Sequence, residues 1–112
     1  MKTSSAKQKG RKLQQWVRDQ FLAIFPDLEP DDVRSTSMGA GGEDVQLSPA
    51  ARKLIPLVIE CKNVEKLNVW AAYDQAKEHK EKGEPVVVMK KNHREPLVVI
   101  DAEYFFRMLK NE

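Results

Sequence analysis

A charged pair interrupts the most apolar run of the chain. Residues 57–63 read L-V-I-E-C-K-N, so Glu60 and Lys62 stand two positions apart in a segment typical of a buried strand. Side chains alternate between the two faces of a strand, which places both charges on one face and Cys61 on the other. Buried charges are costly unless they are paired or hold a ligand. The stretch therefore predicts either a weak surface ion pair or a chemically active pair.

A second carboxylate precedes this strand. Asp44 follows a glycine-rich stretch and lies in a segment, residues 43–47, whose polar and apolar residues alternate as in a strand. An antiparallel pairing of the two strands would bring Asp44 close to Glu60. Two carboxylates and the backbone carbonyl of Cys61 are the oxygen ligands that Mg²⁺ or Mn²⁺ prefers. Such an ion activates water for phosphodiester hydrolysis, and Lys62 would orient that water or neutralise a developing oxyanion.

The elements that must position these residues follow from the spacing of apolar side chains. Helical spacing predicts a helix from about Lys7 to Phe25, which Pro26 ends. A helix over 67–82 and a final helix over 102–110 follow, and the last is expected to bury Phe105, Met108 and Leu109. Ser48 and Asp101 are expected to cap helical turns. Strands are predicted over residues 33–37, 43–47, 57–63, 85–90 and 97–100, which gives an α/β (α+β) fold with a central mixed five-stranded sheet flanked by helices.

Length and charge bound the organisation of the chain. The 112 residues suit a single domain over 7–112, preceded by a disordered basic arm over 1–6. The net charge of +2 is only mildly basic, but the cations are clustered. Such clusters either neutralise phosphates or simply keep a surface soluble. The clustered cations are Lys7, Lys9, Arg11 and Lys12 near the start, and Lys90, Lys91 and Arg94 later.

Several classes of protein are disfavoured. The single cysteine, Cys61, allows no disulfide within the chain and no cysteine-rich zinc site. No apolar run is long enough for a signal peptide or a membrane span, so a cytoplasmic location without membrane contact is expected. The stretch 37–42 lacks the Lys-Ser/Thr of a nucleotide-binding loop, which predicts no nucleotide cofactor. Glu43 is expected to be a surface charge, and His79 and His93 to be exposed.

The pattern of Asp44 followed by Glu60-Cys61-Lys62 resembles the PD-(D/E)xK nuclease superfamily. With its order of helix, Gly/Ser loop, aspartate, E-x-K strand and glutamine-bearing helix, the chain looks most like the small archaeal-type Holliday junction resolvases, including bacteriophage versions, over residues 7–101. The resemblance implies a restriction-endonuclease-like core. It also implies Mg²⁺ as cofactor, with Mn²⁺ able to substitute, and metal ligands Asp44, Glu60 and the Cys61 carbonyl. Lys62 would be the catalytic lysine.

Further positions carry over from the resemblance. Lys9-Gly10 matches the start of the first helix, Ser37 or Ser35 matches a DNA-contacting serine, and Gln75 matches a glutamine that supports the site. One position departs from the pattern, because Gln14 stands where the first helix usually supplies a glutamate. An amide can orient a metal-bound water but cannot be a charged ligand, which leaves open whether one or two metal ions bind.

These observations predict a metal-dependent, structure-selective DNA endonuclease that cleaves four-way junctions in DNA recombination and repair. A homodimer suits the two symmetric scissile sites of a junction, and the cytoplasm of a prokaryotic or phage-infected cell is expected. Three alternatives are another nuclease of the superfamily, restriction-like or acting on flaps or single strands, a non-catalytic DNA-binding module or inactive nuclease relative, and a structural or interaction domain that uses exposed aromatic residues. The residues expected to contact DNA are Lys7, Lys9, Arg11, Lys12, Ser35, Ser37, Lys90, Lys91 and Arg94.

Overall fold

The computed structural model describes residues 2–36 and 43–110, which form one sheet with helices on both faces. Two 3₁₀ turns, Pro30–Asp32 and Lys80–Lys82, connect the larger elements. The helices are α1 (Lys2–Ile24), α2 (Pro49–Leu54), α3 (Val69–Lys77) and α4 (Ala102–Lys110). The strands are β1 (Val33–Ser35), β2 (Val45–Leu47), β3 (Leu57–Asn63), β4 (Glu84–Lys90) and β5 (Leu97–Ile100).

The sheet has the strand order β1-β2-β3-β4-β5. Strands β3 and β4 are parallel, and every other neighbouring pair is antiparallel. Parallel neighbours need a crossover connection, and α3 supplies it between β3 and β4. The predicted α/β fold with a mixed five-stranded sheet flanked by helices is therefore confirmed.

Two apolar clusters hold the helices against the sheet. The larger cluster joins Leu13 and Val17 of α1 to Ile59 and Cys61 of β3. The smaller one joins Ala72 and Ala76 of α3 to Val87 of β4. In the parallel register Glu60 lies beside Val87, so Glu60 shares the face that α3 covers. The predicted alternation of β3, with Cys61 in the core and Glu60 on the opposite face, is confirmed.

Short polar side chains start the helices where the sequence indicates. Ser48 Oγ accepts a hydrogen bond of 3.1 Å from the backbone N–H of Ala51, with Pro49 at the first position of α2. Asp101 Oδ1 accepts one of 2.9 Å from the N–H of Tyr104 at the start of α4. Both predicted caps are confirmed, because each satisfies a donor that the first helical turn leaves free.

Gly83 marks a close approach of two backbone segments at the entry to β4. A Cβ at this position would lie 2.9 Å from the carbonyl oxygen of Pro56, just before β3 begins. The N–H of Glu84 donates to that same oxygen at 3.0 Å. Glycine therefore allows β3 and β4 to begin side by side.

The ends of two helices differ from the prediction. Helix α1 begins at Lys2 rather than near Lys7, so residues 2–6 extend the helix where a disordered arm was expected. The segment K-T-S-S-A holds no proline, and its Lys2 and Ala6 are good helix formers. Helix α3 spans Val69–Lys77 rather than 67–82, because the chain tightens into the 3₁₀ turn before Gly83. Strand β1 ends at Ser35, and residues 37–42 lie outside the described part of the chain.

The expectation that α4 buries its apolar side chains is wrong for the single chain. Phe105, Met108 and Leu109 are exposed, as is Phe106. Helix α4 follows β5, and its apolar face packs against neither core cluster of the described residues. Across the described residues, no helix has the length and apolar character that crossing a membrane requires.

Candidate active site

Asp44 is fixed between β2 and β3. Its carboxylate Oδ2 accepts a 2.7 Å hydrogen bond from the backbone N–H of Cys61, and its own N–H donates to the carbonyl of Ile59 at 3.2 Å. Thr36 holds the other side, since its Oγ1 donates to the Asp44 carbonyl at 3.1 Å. The antiparallel pairing predicted for the two strands is confirmed, and it brings Asp44 to the middle of β3.

Glu60 and Lys62 form an ion pair on the face of β3 that α3 covers. Lys62 Nζ lies 3.4 Å from Glu60 Oε2. The glutamate is only 4% exposed, whereas the lysine side chain is half-buried. A solvated surface pair is therefore excluded, because one partner lies out of water. Removing a carboxylate from water is unfavourable, and the fold does so here with a second carboxylate nearby.

Burial makes both acids harder to ionise. Burial and, after it, the charge of Asp44 raise the pKa of Glu60 to about 7, against the opposing ammonium of Lys62. Burial likewise raises the pKa of Asp44, while its hydrogen bond from Cys61 and the charge of Lys62 act in the lowering direction. A buried carboxyl with a raised pKa beside a second carboxyl is typical of sites that bind cations or transfer protons.

His79 is a neighbour of this pair that the sequence analysis missed. A positive charge on His79 lowers the pKa of Asp44, which places the imidazole within electrostatic reach of the carboxylate. His79 follows Ala72 and Ala76 by seven and three residues, and these two alanines are the side chains of α3 that face the sheet. The helical spacing was the available signal, since residues three and four apart share a face.

Gln75 was expected to support the site, but its side chain does not contact the site. Its side chain lies on the exposed surface of α3, and within the described residues no hydrogen bond links it to Asp44, Glu60 or Lys62. The physical reason is the phase of the helix. Ala72 and Ala76 face the sheet, and Gln75 lies to one side of this face, where its side chain reaches solvent.

Gln14 lies buried on α1, beside the core residue Leu13. Its Oε1 has no hydrogen-bond partner among the described residues. An unsatisfied buried amide oxygen costs about 1–3 kcal/mol, so such an atom usually marks a bound water, ion or ligand. The amide that replaces the expected glutamate thus keeps a free lone pair on the helix that packs against β3.

Glu43 has a structural role in place of the surface charge predicted for it. It is 3% exposed and forms a two-pronged ion pair with Arg52, whose Nη2 lies 2.8 Å from Oε2 and whose Nη1 lies 3.3 Å from Oε1. Lys82 Nζ adds a second cation at 3.7 Å. Arg52 also donates to the carbonyl of Leu57 at the start of β3. Glu43 precedes β2, so strand alternation does not decide its direction.

The two basic clusters approach each other through Glu65 at one edge of the molecule. Glu65, just beyond the end of β3, lies 3.5 Å from Lys9 of α1 and accepts a 2.8 Å hydrogen bond from the N–H of Asn92. The Nδ2 of Asn63 donates to the carbonyl of Lys9 at 3.1 Å. Segments more than eighty residues apart in the sequence therefore form one surface. Beside it lies a groove of about 650 Å³ whose lining includes Lys90, Lys91 and Arg94.

The remaining residues predicted to contact DNA are distributed over this surface and away from it. Lys7, Arg11 and Lys12 are exposed on α1. Ser35 ends β1 and is half-buried. Ser37 lies outside the described residues.

The donor set of the site suits a hard divalent cation but is small. Asp44 and Glu60 supply carboxylate oxygens whose mutual repulsion a cation would relieve. The described residues contain no group of three or more His, Cys, Asp or Glu side chains able to hold a metal ion. The side chains thus fit an ion that retains several waters, as Mg²⁺ does.

Comparisons of the chain with models of known protein families, with curated proteins and with solved structures give no match.

Proposed function

We propose that this chain is a metal-dependent, structure-selective DNA endonuclease with a restriction-endonuclease-like core, and that its substrate is the four-way DNA junction. The observation that carries the proposal is the group of Asp44, Glu60 and Lys62, in which Glu60 is buried, has a pKa raised to about 7 and lies 3.4 Å from the ammonium of Lys62. A buried acid pair of this kind destabilises an unliganded fold, which favours a functional origin over a structural one.

Each side chain has a separate task in this proposal. Asp44, Glu60 and the carbonyl of Cys61 would hold Mg²⁺ or Mn²⁺, and Gln14 would orient a metal-bound water through its amide. The bound ion supplies an activated water and stabilises charge on the phosphate. Lys62 would donate a hydrogen bond to the non-bridging phosphate oxygen or to the attacking water, and Glu60 would act as a carboxylate. Water adds to phosphorus as the bond to the 3′ oxygen breaks, which leaves a 5′-phosphate and a 3′-hydroxyl.

The basic edge supports nucleic acid as the substrate. Lys91 and Arg94 follow the end of β4, the strand that neighbours Lys62, and Lys9 of α1 is joined to the same end of the sheet through Glu65. Cations in such a row neutralise successive phosphates without reading bases, as a shape-selective enzyme requires. A four-way junction presents two equivalent strands for cleavage, so the working unit would be a homodimer with one site in each copy.

The test is cleavage of a synthetic four-way junction in Mg²⁺ by wild type and by Asp44→Asn, Glu60→Gln and Lys62→Ala. Each substitution is expected to lower the cleavage rate by about 100-fold or more. Asp27→Asn and Lys77→Ala change exposed residues of the same charge types and serve as matched controls at wild-type rate. Equal cleavage by all variants would remove the site assignment, and equal cutting of linear duplex would remove the preference for junctions.

A non-catalytic DNA-binding module is the second candidate, because Gln14 stands in place of an acid and Gln75 is exposed. Metal binding separates the two functions. The nuclease is expected to gain thermal stability in Mn²⁺ and to lose that gain in Asp44→Asn, whereas the binding module shows no such shift.

A further inference from the structure

Helix α4 carries an apolar stripe that the described part of its own chain leaves open to solvent. Ala102, Phe105, Phe106 and Leu109 recur at helical spacing on one side, and the two phenylalanine rings contact each other edge to face at 5.3 Å. Phe106 is 64% and Leu109 61% exposed. An isolated helix shorter than about 12 residues is marginal in water, so a nine-residue helix depends on packing of its apolar stripe.

The edge strand that precedes α4 enlarges this surface. Leu97 and Val98 of β5 are each more than half exposed, and β5 is the outermost strand of the sheet. Leu97 and Val98 point to opposite faces of the sheet, so one of them can extend the stripe. With a large apolar side chain presenting up to about 200 Å², the exposed parts of that residue and of Phe105, Phe106, Met108 and Leu109 amount to roughly 500 Å². This is more than half of the ~800 Å² that each partner buries in a stable complex, and it lies in the upper part of the range for a free monomer.

The charges of α4 are arranged to meet a second copy of the same helix. Glu103 stands in the first turn and Lys110 in the last, seven residues apart and thus on one flank of the apolar stripe. When two helices pack antiparallel about a two-fold axis, equivalent flanks face each other in opposite directions. Glu103 of each copy then lies opposite Lys110 of the other. Arg107 stacks on Tyr104 of its own helix at 5.5 Å.

We infer that the α4 stripe, together with the exposed edge of β5, is a self-association surface that joins two copies of this chain in an antiparallel, two-fold dimer. The inference deepens the proposed function by naming the surface that would bring two nuclease sites together. It rests on apolar area and charge arrangement and does not depend on catalysis. The dimer covers an apolar stripe and the outer edge of the sheet in one step.

The experiment is sedimentation equilibrium of the full chain from 1 to 100 µM. Wild type is expected at twice the 12.8-kDa chain mass. Phe106→Glu is expected to weaken dimerisation at least about tenfold, because it sets a charge in the apolar stripe. Trp70→Glu is the matched control, since Trp70 is 80% exposed on α3, and it should leave the dimer intact. Helix α4 has no buried residue, so Phe106→Glu spares the described core, and far-UV circular dichroism checks the fold.

A charge exchange tests the antiparallel arrangement. Glu103→Lys is expected to raise the dimer dissociation constant about threefold or more, and Glu103→Lys with Lys110→Glu is expected to restore it. A wild-type monomer at 100 µM would overturn the inference and assign the stripe to a partner of another sequence. A dimer indifferent to Phe106→Glu, or no rescue by the double exchange, would overturn it as well. If the wild-type chain forms the dimer but does not cleave junctions, the result would count against the proposed activity and not against the dimer.

Discussion

Glu60 combines two properties that ordinary surface acids lack, since it is buried and lies close to a second carboxyl, that of Asp44. The glutamate ionises near its ordinary pKa of 4.5 when the chain is unfolded and at about 7 when it is folded. The folded state therefore binds more protons between these values, and stability declines as pH rises from about 4.5 through 7. The fold is most stable when Glu60 is neutral.

Glu60→Gln should remove this pH dependence. In EDTA at pH 8 the variant is expected to unfold with a free energy about 1–3 kcal/mol higher than wild type, and the two should converge near pH 5. Urea denaturation at both pH values measures the difference. Glu81→Gln replaces an exposed glutamate and is expected to keep the wild-type slope. A wild-type slope in Glu60→Gln would show that the pH dependence has another source.

Among the elements, α2 is the shortest helix and the one most dependent on a charged contact. Arg52 joins the buried Glu43 to the carbonyls of Leu57 and Lys82, so one guanidinium ties α2 to the starts of β3 and β4. A buried ion pair adds little over an apolar contact, but a buried carboxylate left without its partner is expensive. A substitution that removes Arg52 is therefore expected to destabilise the fold.

Arg52→Ala is expected to lower the free energy of unfolding by about 3 kcal/mol, since only Lys82 would remain near Glu43. The neighbouring Lys53→Ala removes an exposed cation from the same helix and should change stability by less than about 0.5 kcal/mol. Thermal or urea unfolding compares the two. Similar losses in both variants would contradict the role given to the Arg52–Glu43 pair.

The elements also show which parts of the fold are readable from sequence. The faces of β3 were predictable because alternation is a local property of a strand, and Ser48 and Asp101 were predictable as caps because they act within three residues. The exposure of Gln75 was not, since the side of α3 that faces the site depends on how its alanines pack. The burial of Glu43 depends on Arg52, and no local pattern reveals such a contact.

At the scale of the whole molecule, the basic residues of two distant segments form one edge through Glu65. If this edge binds DNA phosphates, affinity should fall steeply with salt, and the slope should report the number of contacts. For Asp44→Asn in EDTA, the additional changes Lys91→Ala and Arg94→Ala are expected to reduce the slope of log affinity against log salt by about 1 each. Lys53→Ala should leave it unchanged. Fluorescence anisotropy with a labelled junction gives the slopes, and identical slopes would place the DNA elsewhere.

The buried position of Cys61 allows the opening of β3 to be measured from the rate at which its thiol is modified. Burial raises the pKa of its thiol, and β3 holds the side chain in the core on the face away from Glu60. A thiol reagent therefore reacts only when the strand opens, so the modification rate in native buffer, compared with that of the unfolded chain, measures how often this occurs. Because the Cys61 N–H donates to Asp44, this modification rate reports on the strand that carries the site. Alkylation of Cys61 therefore measures how often β3 opens in the unsubstituted protein.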